Sequence, residues 1–234
     1  MKYAIVIATE APENDPVLYR GNIFESMKKA SLAGFDAVEI HARSPHEFDK
    51  EALLEYCNKT GMQIAAFATG MAKRIDGLSF IDDSEDIRNL AVKRVIEFVY
   101  FASSFSAGVI IGSLRGVIPD KAFSRKYYDR FYDCISNVLA CAEKLNVPVL
   151  LEVINRYENN YLNTAEETLE FIRPLDSKML KVHLDTFHMN IEETDMYKAI
   201  RMCEGKLGHI HLADNTRYYP GSGTINFGKV FDAA

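Results

Sequence analysis

Seven short apolar runs, each followed by a longer amphipathic stretch, constrain this chain more than any other feature of it. The runs are Tyr3–Ala8, Ala37–His41, Gln63–Phe67, Val109–Ile111, Val147–Val153, Leu180–Leu184 and Leu207–Leu212. Most are rich in Val, Ile and Leu and bounded by Gly, Pro, Asn or Asp, the mark of parallel strands buried on both faces. Helical patterns fill the gaps at Ile23–Ala33, Glu47–Thr60, Glu85–Ser103, Tyr127–Leu145, Ala165–Ile172 and Met196–Cys203. Thr164-Ala-Glu-Glu167 reads as a capping box, and Gly34 and Gly61 stand where left-handed helix terminators belong. Seven strand–helix units without a linker predict one α/β domain over residues 1–234. No Gly-x-Gly-x-x-Gly follows the first run, so the dinucleotide-binding open sheet loses its main support. The expectation is a TIM (β/α)8-type barrel whose eighth strand is missing from this sequence, because Gly228–Ala234 reads as the start of a helix after strand seven. Such a barrel leaves unpaired edges on its first and last strands.

Composition narrows the function. Apolar residues make up 48% and charged residues 26% of 234, as in an ordinary globular chain. The charge sum, 27 − 33 = −6, excludes a general nucleic-acid binder, which needs basic surface to displace phosphate counterions. Val95–Phe105, the most apolar later stretch, is broken by Glu97, Ser103 and Ser104 and falls short of the roughly 18 apolar residues of a membrane span. The N-terminal apolar stretch is too short for a secretion signal. Cys57, Cys134, Cys141 and Cys203 form no Cys-x-x-Cys pair, Cys134 and Cys141 read as buried thiols on one helix face, and the cytoplasm is the expected compartment.

Barrel sites lie at the C-terminal ends of strands. Three successive runs end there in Glu152, Asp185 and His211. Each alone reads as a strand-end cap or a helix N-terminal acid. Three in a row read as ligands of one divalent ion, and this oxygen/nitrogen set suits Mn²⁺, Mg²⁺ or Co²⁺ better than a thiolate-type zinc site. The following loops carry Asn155, Arg156 and Glu158, then His188 and Asn190, then Asp214, Asn215 and Arg217, groups suited to a polyhydroxylated ligand. His183 and His209, two residues before proposed ligands, read as hydrogen-bonded core histidines one layer deeper. His41 reads as a pocket-lining group or a strand-end cap, and His46 as solvated. Gly112-Ser-Leu-Arg115-Gly116 offers a weaker anion-binding reading. Arg217 reads either as a site residue or as a partner of Asp214.

Glu152-Val-Ile-Asn-Arg-Tyr-Glu158, Leu184-Asp-Thr-Phe-His-Met-Asn-Ile-Glu-Glu193 and Gly208-His-Ile-His-Leu-Ala-Asp-Asn-Thr-Arg217 resemble the D-tagatose/D-psicose 3-epimerase family of xylose-isomerase-like barrels. The resemblance is strongest from Leu151 to Gly223. It implies Glu152, Asp185 and His211 as three of four metal ligands, with Mn²⁺ the first choice. It implies Glu158, His188 and Arg217 as contacts to the carbonyl end of a small-molecule sugar. The family's fourth ligand, a Glu that also acts as a base, lies on the strand that would follow Leu207–Leu212. The implied activity is epimerisation of a ketose at C3 through an enediolate, with Glu152 as ligand and base. Alternatives on the same metal site are a ketose–aldose isomerase, a sugar or inositol dehydratase, or a sugar-binding barrel inactive for lack of the last Glu. A homo-oligomer is compatible with all of them; nucleic-acid and membrane partners are not expected.

Overall fold

Each of the seven apolar runs forms a strand in the computed structural model, which describes residues 2–13 and 15–234. The strands are β1 (Ala4–Ala8), β3 (Ala37–His41), β4 (Gln63–Ala68), β5 (Gly108–Ile111), β6 (Val149–Glu152), β7 (Leu180–Asp185) and β8 (Leu207–His211). A two-residue strand, β2 (Tyr19–Arg20), pairs with the far end of β1, Ile7 opposite Tyr19 and Ala8 opposite Arg20. Two residues carry no periodicity, so the sequence offers no signal for it. All pairings are parallel, in the order β2-β1-β3-β4-β5-β6-β7-β8. The sheet curls until Glu39 on β3 touches His209 and His211 on β8. This is the α/β-barrel architecture anticipated from the alternation of strands and helices. Among the described residues no strand pairing joins β8 to β1 or β2.

The crossovers carry helices α1 (Ile23–Leu32), α2 (Lys50–Thr60), α3 (Gly70–Asp76), α4 (Glu85–Ser103), α5 (Ser124–Leu145), α6 (Ala165–Ile172), α7 (Thr186–Glu192), α8 (Met196–Met202) and α9 (Phe227–Ala233). Local chemistry sets several ends. Gly61 closes α2 at φ 76°, a conformation that costs a residue with a Cβ. Thr164 Oγ1 accepts from Glu167 N at the start of α6. The Glu167 carboxylate returns the bond to Asn163 N rather than to Thr164 N, so the anticipated capping box closes one residue early. Helices α3 and α7 have seven residues each and begin one or two residues after a strand, too short for a separate helical period.

Residues facing the helices make the main core. There Phe67 packs edge-on against Phe101 and Phe105, at 5.3 and 5.9 Å between ring centres. The strand faces turned inward hold a smaller apolar cluster of Ala66, Ala68, Ile110 and Leu150. Leu150 fits because two strand positions lack a side chain. A Cβ on Gly108 or Gly208 would come within 2.8 or 2.7 Å of it. Register shifts fall between Val38 and Glu39 against β4, and between Val182 and His183 against β8. Bulges of this kind re-aim side chains, and both lie beside inward-facing polar residues. No helix among the described residues is long and apolar enough to cross a membrane.

Candidate active site

Parallel register brings the three strand-end residues together. Glu152 closes β6 opposite His183, and Asp185 closes β7 opposite His211. One ligand atom from each of Glu152, Asp185 and His211 lies within 4.8 Å of the other two. His211 Nδ1 stands 3.6 Å from Asp185 Oδ2 and 3.8 Å from Glu152 Oε1. The two oxygens of Asp185 divide the work. Oδ1 caps α7, accepting from Phe187 N at 2.7 Å, and Oδ2 faces the imidazole. Room for Glu152 comes from Gly112, because a Cβ there would collide with Glu152 Oε2.

The electrostatics of this layer are strained by burial. Burial pushes the Glu152 carboxyl above its ordinary value, against the pull of His211 and His188. Asp185 is equally enclosed, but the neighbouring His211 imidazole and the Phe187 amide outweigh that burial and bring it below its usual range. Burial disfavours the His211 imidazolium, yet Glu39 and Asp185 outweigh that and hold its pKa well above the usual histidine value. His183 has no such partner. Burial and the neighbouring His211 and His209 hold it well below the usual value, and neither ring nitrogen is hydrogen-bonded. Two carboxylates and an imidazole this close fit a divalent cation. It would sit among atoms already within coordination reach of one another and relieve the buried negative charge. The donor set, hard oxygens with one imidazole, suits Mn²⁺, Mg²⁺ or Co²⁺.

A second group forms the rim. Arg217 donates through Nη1 to Glu158 Oε1 at 2.7 Å and through Nη2 to Oε2 at 3.3 Å. Its guanidinium also lies over the Phe187 ring, 4.7 Å from the centroid. Asn155 Nδ2 donates to Nδ1 of the buried His188 at 2.6 Å. An imidazole nitrogen that accepts is unprotonated, so the His188 proton sits on Nε2, the nitrogen left to donate to a ligand. The structure therefore brings Glu158, His188 and Arg217 into one cluster beyond the strand ends.

Buried polar groups hold the rim loops. The Asp214 carboxylate is solvent-inaccessible and accepts from Asn215 N, Gly221 N and Ile225 N at 2.9, 2.9 and 3.2 Å. Burial alone would raise its pKa; the backbone N–H groups outweigh this and bring it down to about 2. Asp214 thus organises the loop that carries Arg217, while the Arg217 side chain pairs with Glu158 instead. Arg115 is fully buried and donates to the carbonyls of Glu152, Tyr161 and Leu162. Its guanidinium staples the loop after β6 to the sheet, which removes the anion-binding reading of Gly112–Gly116.

His209 and His183 are inward core histidines, as their spacing implies, but only His209 is hydrogen-bonded. His41 bonds to Glu39 at 2.7 Å, and His46 has a 77% exposed side chain. Sequence reasoning gave no role to Glu39, which is 1% exposed and accepts from three histidines. A carboxylate in the middle of an otherwise apolar strand was the available signal.

Comparison with known proteins identifies the family of the barrel. A family model described as xylose isomerase-like TIM barrel matches residues 27–234. The chain is 32% identical over 207 residues to the L-ribulose 3-epimerase of Mesorhizobium japonicum, covering 86% of this chain and 67% of that one. It is 31% identical over 245 aligned positions to the D-psicose 3-epimerase of Enterocloster bolteae, covering 100% of this chain and 77% of that one. The solved structure of a Clostridium cellulolyticum D-psicose 3-epimerase with D-tagatose superposes with a TM-score of 0.82 at 27% identity, over 100% of this chain and 80% of that one.

Proposed function

Since the chain belongs to the xylose isomerase-like TIM-barrel family and to its ketose 3-epimerases, and is by that kinship an isomerase, we propose that it inverts the C3 configuration of a ketose. The observation that carries the reading is the convergence of Glu152, Asp185 and His211 within 4.8 Å at three successive strand ends, under the Glu158–Arg217 pair. The reading takes residues 1–234 as one catalytic barrel domain.

Glu152, Asp185 and His211 would hold a divalent cation, Mn²⁺ first and Mg²⁺ or Co²⁺ next, whose Lewis acidity makes the proton beside a ketone removable. The burial that raises the Glu152 pKa makes that carboxylate a stronger base, matched to a weakly acidic C–H. Glu152 takes the C3 proton, and the electron pair left behind delocalises toward C2 as an enediolate. Arg217, aimed by Glu158 and Phe187, orients the sugar, and His188 Nε2–H donates to a sugar oxygen. Return of a proton to the opposite face of C3 completes the inversion; the family resemblance assigns that step to a glutamate outside this sequence. A free sugar in the cytoplasm is a fitting substrate, and the four free thiols are in keeping with a reducing compartment.

The test is NMR in D₂O with Mn²⁺, an EDTA control and a panel of ketoses. Deuterium entering at C3 supports the proposal. Deuterium entering only at C1, with an aldose product, replaces it with isomerase chemistry.

A further inference from the structure

The carboxylate under the site is the feature the mechanism leaves unused. Glu39 sits on β3 immediately after a register shift, 1% exposed, at the centre of three imidazoles. Its Oε1 meets His41 Nε2 at 2.7 Å, and its Oε2 meets His209 Nε2 at 3.0 Å and His211 Nε2 at 2.9 Å. A carboxylate offers only lone pairs, so in each of these bonds the proton belongs to the histidine Nε2. For His211 the consequence is directional. With Nε2 committed as donor to Glu39, the opposite nitrogen, Nδ1, is the one turned toward Glu152 and Asp185, and it is the nitrogen that a cation held there would meet in place of a proton.

We propose that Glu39 is a positioning residue, which fixes the ring orientation and tautomer of His211 so that Nδ1 serves as the metal-binding nitrogen. The inference rests on His211 being a ligand of the cation. A carboxylate behind a ligating imidazole locks the ring in place and raises its donor strength. The same bonds argue against a second cation among His183, His209 and His211, whose ligand atoms also lie within 4.8 Å of one another. Two of their Nε2 atoms are already spent on Glu39. Sharing Oε2 with His209 couples the two β8 histidines, so the strand end is held by one acceptor reaching across the barrel from β3.

The experiment titrates Mn²⁺ into the parent protein, Glu39→Gln and His211→Ala, following free Mn²⁺ by EPR. A companion measurement needs no variant: ¹⁵N-histidine NMR of the Mg²⁺-loaded parent reads which ring nitrogen of His211 carries the proton. The isosteric glutamine keeps the packing but faces at least one Nε2–H with its own NH₂ group. A merely structural Glu39 would tolerate that change with its Mn²⁺ affinity intact. The expected result is one Mn²⁺ per parent chain, binding weakened about 10- to 100-fold in Glu39→Gln, and a proton on His211 Nε2 in the parent. Parent-like affinity in Glu39→Gln, or a proton on Nδ1, overturns the proposal. So does a stoichiometry of two that drops to one in Glu39→Gln, which would make Glu39 a ligand itself. Parent-like affinity in His211→Ala would instead overturn the assignment of the metal site, whatever Glu39 does.

Discussion

The two sides of the barrel interior are built from opposite chemistry on the same strand geometry. On β4 and β5 the inward cluster is Ala66, Ala68 and Ile110, small and dry. On β7 and β8 the corresponding layer holds His183, Asp185, His209 and His211, with Glu152 completing it at the end of β6. The apolar side gains from burial, at roughly 25 cal/mol for each Å² of apolar surface removed from water. The polar side works against its own burial: Glu152 is pushed up, and the His183 nitrogens have no partner. A fold bears such a layer where function needs it. On the proposed reading one side is scaffold and the other is site, and Glu39 on β3 is a carboxylate that reaches across to β8.

The largest expected effect breaks the polar side. Glu152→Gln keeps the shape but removes the proposed base and a proposed ligand charge, and a loss of about 10³-fold in kcat is expected, within the 10²–10⁴ range of general-base removal. A steady-state assay on the ketose that exchanges at C3 measures it. Ile110→Ala breaks the other side. A fully enclosed isoleucine reduced to alanine should cost about 3 kcal/mol in urea unfolding. Mn²⁺ affinity should stay at the parent value, because Ile110 packs in the apolar cluster with Ala66, Ala68 and Leu150; a fall in affinity would erase the distinction between scaffold and site.

Those two sides differed in legibility for a physical reason. The alternation of Val- and Ile-rich runs with amphipathic stretches reports burial directly, so seven strands and the barrel class could be read from it. Glu152, Asp185 and His211 were legible only as a set, because each alone reads as a strand-end cap while three successive charged strand ends point to one cluster. Glu39 was not, because its partners His209 and His211 lie 170 and 172 residues away. The register shifts that set the depth of Glu39 and His209 also leave no mark in the sequence. The anion-binding reading of Arg115 fails because a sequence does not show that a guanidinium turns inward to backbone carbonyls.

Gly112→Ala sharpens the boundary between the sides. The added methyl displaces the Glu152 carboxylate without touching its chemistry. A misplacement of this kind lowers kcat by about 10²-fold, with weaker Mn²⁺ binding in the same variant. The smallest effect concerns the rim loop. Asp214 is depressed to about 2 in the folded chain, against an ordinary aspartate near 3.9. A depressed acid contributes stability that is fully present above its unfolded value and lost as pH falls through the folded one. Protection of the Asn215, Gly221 and Ile225 amides, relative to their intrinsic exchange rates, should therefore fall between about pH 4 and pH 2. Asp214→Asn should show faster exchange there already at neutral pH, read by hydrogen–deuterium exchange.

The central claim, that the polar side holds one divalent cation, is tested most directly by Mn²⁺ titration of Asp185→Asn beside the parent. Asparagine caps a helix as well as aspartate does, so α7 keeps its N-cap while the site loses a ligand charge. The account predicts one Mn²⁺ per parent chain and at least tenfold weaker binding in Asp185→Asn, with the melting temperature without metal little changed. Equal affinity in the two proteins would contradict it.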